Sequence, residues 1–194
     1  MKQFFSTHSY NIVKMFLNQF AIALFGVGLA FASKGANNDT LLYATSIGAI
    51  LCYLFLQYAV MWEVGAKDGI SAVARHESRR LWRGCVIGCL GNALNIICAL
   101  FILPGAFVAP DSGVKVMSNA FQFIARMVQG MYMGVLTTPV GEVALHDLAW
   151  VYFVIILPAL LVCSVAYILG SYNLHATNIL IPKNKDVKNN GRPE

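Results

Sequence analysis

Four long stretches of nearly unbroken apolar residues dominate the chain, at residues 12–32, 41–62, 84–103 and 148–170. Each is close to the ~20 residues that an α-helix needs to cross about 30 Å of hydrocarbon. We therefore predict an all-α, polytopic integral membrane protein with four transmembrane helices. These helices form one domain over residues 1–176, and we expect the polar tail over residues 177–194 to be disordered.

A further amphipathic helix is predicted at about residues 114–136. Its polar residues recur at steps of three and four, which places them on one helical face: Lys115, Asn119, Gln122, Arg126 and Gln129. Such a helix lies flat in the outer interface, or enters the membrane with its polar face turned inward. A fully spanning version would leave Arg126 in the bilayer, at a cost of at least about 2.5–3.5 kcal/mol. We expect an outer amphipathic or re-entrant helix.

The composition supports a membrane protein. Of 194 residues, 58% are hydrophobic and 12% are charged, against about 25% charged in an ordinary soluble domain. This composition argues against a soluble enzyme, a secreted disulfide scaffold and a nucleic-acid-binding domain. The five cysteines all lie inside predicted spans, where cysteine acts as a small apolar packing residue. Cys85 and Cys89 are one turn apart, but we expect no metal and no cofactor.

The basic residues predict the orientation. Eleven Lys and Arg residues fall on the N-terminus, the loop between spans two and three, and the tail, against three on the opposite side. Since positive residues accumulate on the cytoplasmic side, we expect both termini to be cytoplasmic. One alternative for the first stretch is a cleaved secretory signal with an AxA-like site at residues 30–32. We favour an uncleaved first helix.

Span three carries an unusual face of small and amide-bearing residues. Five positions share it: Gly84, Gly88, Gly91, Asn92 and Asn95. The spacing of Gly84 and Gly88 is a GxxxG motif, which allows close approach of a second helix. Two carboxamides cannot face lipid without losing hydrogen bonds. This face therefore packs against protein, within this chain or in a second copy, or it lines a polar path.

Charged residues cluster at the inner edge of the membrane. Glu63 and Lys67 are spaced for an i,i+4 ion pair, and Glu63 also lies near the start of span three at Arg83. Arg75, Arg79 and Arg83 follow at steps of four, which would place them on one helical face. A basic face of this kind suits anionic lipid headgroups or a soluble partner.

The sequence WEVGAKD after span two, the asparagines in span three and the MYMG stretch before the last span form a distinctive set. In these features the chain resembles small, uncharacterised multi-span membrane proteins of clostridia-like Gram-positive bacteria. The resemblance implies a bacterial plasma membrane and assigns no functional residue.

No catalytic motif is present in the sequence, and we expect a protein that is not an enzyme. The leading hypothesis is a packing or accessory component of a membrane assembly. Its expected partners are the lipid bilayer and either a second copy or a larger membrane complex, with no nucleic acid. The alternative is a transporter or channel for a small solute or ion, with a polar path along Asn92 and Asn95.

Overall fold

A computed structural model describes residues 2–109, 111–140 and 143–174 of the chain. It is mostly helical. Two long helices come first, α1 (Lys2–Gly35) and α2 (Asp39–Ala74). Two short helices follow, α3 (Arg83–Gly91) and α4 (Ala93–Ile102), and then α5 (Gly113–Val128). The predicted tail at residues 177–194 lies outside the described residues.

The rest of the fold consists of short pieces and one more long helix. A 3₁₀ turn, Gly130–Tyr132, leads into the one-turn helix α6 (Met133–Leu136). Strands β1 (Pro139–Val140) and β2 (Val143–Ala144) form a two-residue antiparallel pair. Further 3₁₀ turns span Leu103–Ala106 and Leu145–Asp147, and the last described helices are α7 (Val151–Val154) and α8 (Leu157–Ser171).

Within the described residues, three segments are long and apolar enough to cross a membrane: Thr7–Gly35, Asp39–Ala74 and Val151–Ser171. A fourth is obtained only if Arg83–Gly91 and Ala93–Ala106 count as one span, and these two are bent by 65°. The predicted third span at residues 84–103 thus corresponds to two short helices and not to one straight helix. It is interrupted at Asn92, whose side-chain amide donates a hydrogen bond to the Gly88 carbonyl oxygen at 3.1 Å, the same oxygen that accepts from the Asn92 backbone amide at 3.0 Å.

The helix α2 is longer than its predicted span, which ended at residue 62. It ends instead at Ala74. His76, two residues further, has the left-handed conformation, with φ 55°. The Glu77 amide donates to the Ala72 carbonyl oxygen at 2.9 Å, and the His76 amide to that of Val73 at 3.2 Å. This pair of bonds is a Schellman motif, which terminates helices.

The outer surface of the bundle is apolar along its length. Large hydrophobic side chains are exposed on all three long segments: Leu17, Leu24, Phe25, Ile47, Leu51, Phe55, Leu161 and Val165. A soluble monomer rarely exposes so much contiguous apolar surface. Together with the length of the helices, this surface gives the chain the features of an integral membrane protein.

The amphipathic helix is shorter than predicted. The segment 114–136 is interrupted at Gln129, and α5 ends at Val128. Two of its polar residues turn towards protein, since Lys115 Nζ donates to the Gly105 carbonyl oxygen at 3.0 Å and Gln122 donates to that of His146, whereas Asn119 is exposed. Its apolar residues Val116, Phe123 and Ile124 are exposed. The helix thus presents an apolar face outward, the reverse of a helix lying on a water-facing surface.

A buried serine ties the segment after α5 to α2. The Ser46 hydroxyl donates to the Met131 carbonyl oxygen at 2.6 Å and accepts from the Gly134 amide at 3.0 Å. Gln19 on α1 donates to the Val128 carbonyl oxygen at 3.4 Å. These bonds satisfy backbone groups that the helix interruption releases.

Candidate functional site

The glycine face of α3 is filled by other helices of the same chain. Gly84, Gly88 and Gly91 are buried. An added Cβ atom at these positions would lie 2.6 Å from Tyr167 Cβ, 2.9 Å from Cys163 Cβ and 2.8 Å from Met15 Cε, respectively. The face therefore accommodates α8 and α1 and leaves no room for a second copy.

A second glycine contact was missed by the sequence analysis. Gly65 and Gly69 on α2 also form a GxxxG motif, inside the WEVGAKDG stretch. A Cβ at Gly65 would overlap the Tyr167 carbonyl oxygen, and one at Gly69 would overlap that of Ser171. On α8, a Cβ at Gly170 would likewise overlap the carbonyl oxygen of Trp62. The spacing of Gly65 and Gly69 can be recognised in the sequence, but nothing in the sequence indicates that α8 is the partner of α2.

Asn92 and Asn95 lie together in a buried polar chain at the interruption between α3 and α4. The Tyr53 hydroxyl donates to Asn92 Oδ1 at 3.0 Å, and Asn95 Nδ2 donates to the same oxygen at 3.2 Å. All three side chains are buried. The predicted amide-bearing face is thus turned into the bundle, and a tyrosine of α2 is part of it.

Further uncharged polar side chains are buried in the bundle. Gln57, also on α2, donates to the Met15 carbonyl oxygen at 3.4 Å. Three buried polar atoms have no hydrogen-bond partner among the described residues: Asn95 Oδ1, Gln129 Oε1 and Tyr132 Oη. Each of them lies within three residues of a helix interruption at Asn92 or Gln129. A buried polar atom without a partner costs about 1–3 kcal/mol.

The Glu63–Lys67 pair has the predicted i,i+4 geometry. Lys67 Nζ donates to Glu63 Oε1 at 2.7 Å, and Lys14 Nζ lies 3.7 Å from Glu63 Oε2. The Lys67 and Glu63 side chains are 70% and 51% exposed. Ion pairs with this exposure contribute little to stability, about 0–1 kcal/mol.

Arg83 pairs with Asp68, whereas Glu63 pairs with Lys67 and Lys14. Arg83 Nη1 lies 3.5 Å from Asp68 Oδ2, and the Tyr167 hydroxyl donates to the same oxygen at 2.7 Å. His8 Nε2 lies 3.7 Å from that oxygen. The Asp68 side chain is only 17% exposed. This cluster joins α1, α2, α3 and α8 at one end of the bundle, which we call the basic end.

The arginines of the predicted helical stripe lie around a pocket instead of along a helix. Because α2 ends at Ala74 and α3 begins at Arg83, residues 75–82 form a loop, and the spacing of four does not create a helical face. The loop arginines Arg75, Arg79 and Arg80 line a pocket of about 440 Å³ together with Arg83.

The floor of this basic pocket is polar and buried. His8, Asp68, Tyr167 and Ser171 line it beneath the loop arginines. Glu77 also lines it, so four guanidinium groups face two carboxylates and leave two positive charges when His8 is neutral. Arg79 is held over the ring of Tyr172, with its guanidinium carbon 4.3 Å from the ring centroid, a cation–π contact.

The chemistry available in these two regions is binding chemistry. The buried polar chain offers amide and hydroxyl groups, and the basic pocket offers guanidinium donors. Among the described residues, no three His, Cys, Asp or Glu side chains come close enough to hold a metal ion. Comparison with known proteins gives no match, whether to a family model, a curated protein or a solved structure.

Proposed function

We propose that this chain is a small membrane transport protein, a channel or carrier for a small uncharged polar solute, and not an enzyme. The observation that carries the proposal is a set of buried polar atoms that have no hydrogen-bond partner in the described part of the chain: Asn95 Oδ1, Gln129 Oε1 and Tyr132 Oη. In a bilayer no bulk water reaches such atoms from the lipid side. Water or a polar solute inside the bundle is the remaining partner.

The location of these atoms at helix interruptions supports the same function. Transport proteins commonly bind their substrates where transmembrane helices are broken, because the break exposes backbone and side-chain polar groups. Here the interruption at Asn92 brings Tyr53, Asn92 and Asn95 into one hydrogen-bonded chain. These side chains are uncharged, which favours a neutral solute over an ion, since an ion loses more hydration energy on entering a low-dielectric site.

The orientation of the chain in the membrane is part of the same proposal. With the basic end in the cytoplasm, both termini are cytoplasmic and eleven of fourteen basic residues lie on that side. The chain then crosses the membrane four times, α3 and α4 forming one bent span. The helix α5 re-enters from the outer side, since its apolar face is turned outward. We place the protein in a bacterial plasma membrane because of the resemblance described above.

Thiol accessibility at residue 95 tests the proposal. In a background without the five native cysteines, Asn95→Cys is compared with Ile97→Cys, whose native side chain is 45% exposed on the apolar exterior of α4. A membrane-impermeant, water-soluble thiosulfonate reacts only with a thiol that water reaches. We expect position 95 to be labelled and position 97 to remain unlabelled in proteoliposomes, with size-exclusion profiles confirming that both variants fold. Equal resistance of the two positions contradicts a water-filled path.

The second candidate function is a non-enzymatic packing component of a membrane assembly. The observation in its favour is the exposed apolar face of α5, formed by Val116, Phe123 and Ile124, which a partner helix covers as well as lipid does. Association through Gly88 is a weaker basis, since that residue already packs against Cys163 of α8. An unlabelled position 95 together with a co-purifying membrane partner would favour this function over transport.

A further inference from the structure

The pocket at the basic end has the features of an anion-binding site. Its volume is about 440 Å³, and its walls come from α1, α2, α8 and the loop at residues 75–82. The mouth carries exposed arginines, while the floor includes the buried side chains of His8 and Ser171. A buried polar floor beneath cationic groups distinguishes it from arginines scattered over a solvated surface.

The positive charge in the pocket is only partly neutralised. Arg83 faces Asp68 at 3.5 Å, and Asp68 is also engaged by the Tyr167 hydroxyl. Arg75 and Arg80 line the pocket and have no ion pair with any of the described residues. Their guanidinium groups are therefore available to an external anion.

The arrangement of the loop keeps these groups together. The Schellman motif at His76 ends α2 beside the pocket, since the neighbouring residues Arg75 and Glu77 line it. Arg79 is held against Tyr172 at the end of α8, so the loop is fixed near its centre as well as at its two helical ends. A guanidinium group that is already held, as that of Arg79 is, loses less entropy on binding than a free surface side chain does.

We propose that this pocket binds a phosphate group, carried either by a free phosphate anion or by an anionic lipid headgroup. Guanidinium groups bind phosphate oxygens through paired, charge-assisted hydrogen bonds. A phosphate group carries one negative charge in a phosphodiester headgroup and one or two as a free anion near neutral pH, which the two uncompensated positive charges of the pocket can neutralise. The proposal does not depend on the transport function, because the pocket is at the basic end and the polar chain is at the helix interruption.

The test measures binding to the full chain purified in a non-ionic maltoside detergent. In one arm inorganic phosphate is titrated by calorimetry; in the other, short-chain phosphatidylglycerol is titrated against diacylglycerol of the same chain length. Saturable binding of phosphate identifies a free anion as ligand, and binding of phosphatidylglycerol alone identifies a lipid headgroup. Either result supports the proposal. Absence of saturable binding in both arms overturns it.

Matched charge variants show whether the pocket is responsible. Arg80→Gln and Lys34→Gln each remove one positive charge from an exposed position, the first at the pocket and the second at the far end of α1. We expect Arg80→Gln to lower the affinity about tenfold, as the loss of a charge-assisted hydrogen bond does, and Lys34→Gln to leave it unchanged. Equal effects of the two variants would mean nonspecific attraction and overturn the proposal.

Discussion

Replacement of Gly65 by alanine tests whether the contact between α2 and α8 limits the stability of the bundle. A methyl group at residue 65 would overlap the carbonyl oxygen of Tyr167. That atom is backbone and cannot rotate away, so the helices must separate. Overpacking of this kind costs about 1–3 kcal/mol. Gly48 on the same helix is the control, because a Cβ there has no neighbour within 4 Å.

The two alanine substitutions should have opposite signs. Alanine is about 1 kcal/mol more favourable than glycine in a helix, and Gly48→Ala obtains this gain without a clash. At residue 65 the clash outweighs the gain, which leaves the variants about 1–3 kcal/mol apart. The free energy of unfolding, measured by denaturing-detergent titration and far-UV circular dichroism, gives both values. If Gly65→Ala is as stable as Gly48→Ala, the close backbone contact between α2 and α8 is refuted.

Two further comparisons test individual polar contacts in the same unfolding assay. Ser46→Ala removes both interhelical hydrogen bonds of a buried hydroxyl and should lower the free energy of unfolding by about 1–3 kcal/mol. Ser164→Ala, whose hydroxyl bonds only within α8, should lower it by less than about 0.5 kcal/mol. Equal losses of stability in the two variants would contradict the assigned contacts. Asp68→Asn leaves Arg83 without its carboxylate and should destabilise by about 1–3 kcal/mol, whereas Lys67→Gln breaks an exposed pair and should change stability by about 0.5 kcal/mol or less. A larger loss for Lys67→Gln would contradict the ranking by burial.

The helical, membrane-type character of the fold follows directly from the apolar stretches, and the structure confirms it. The interruption at Asn92 was harder to predict from the sequence, because residues 84–103 are a nearly unbroken apolar stretch. Asparagine side chains bond to nearby backbone groups and favour helix ends, but the residue type alone does not show which asparagine marks a break. The Asn92 side chain is held in the bundle by the Tyr53 hydroxyl of α2, which donates to Asn92 Oδ1, and this contact depends on tertiary structure.

The basic end shows a different limit of sequence reasoning. A spacing of four among Arg75, Arg79 and Arg83 indicates a helical face only if the segment is helical. The non-glycine residue His76 ends α2 in the left-handed conformation, which residues other than glycine and asparagine seldom adopt. The arrangement of these arginines around a pocket depends on this backbone conformation, which the spacing of the basic residues does not indicate.

The two candidate sites, the basic pocket and the buried polar chain, depend on different contacts between helices. The basic pocket requires the α2–α8 contact, because Asp68 on α2 receives the hydrogen bond from Tyr167 on α8, and Gly65 allows the two backbones to approach. The polar chain between Tyr53 and Asn95 lies on α2 and α4 and does not include α8. Gly65→Ala should therefore weaken phosphate binding in the pocket more than it changes thiol labelling at residue 95. Equal effects on both would mean that the bundle loosens as one unit and that the sites are not separable.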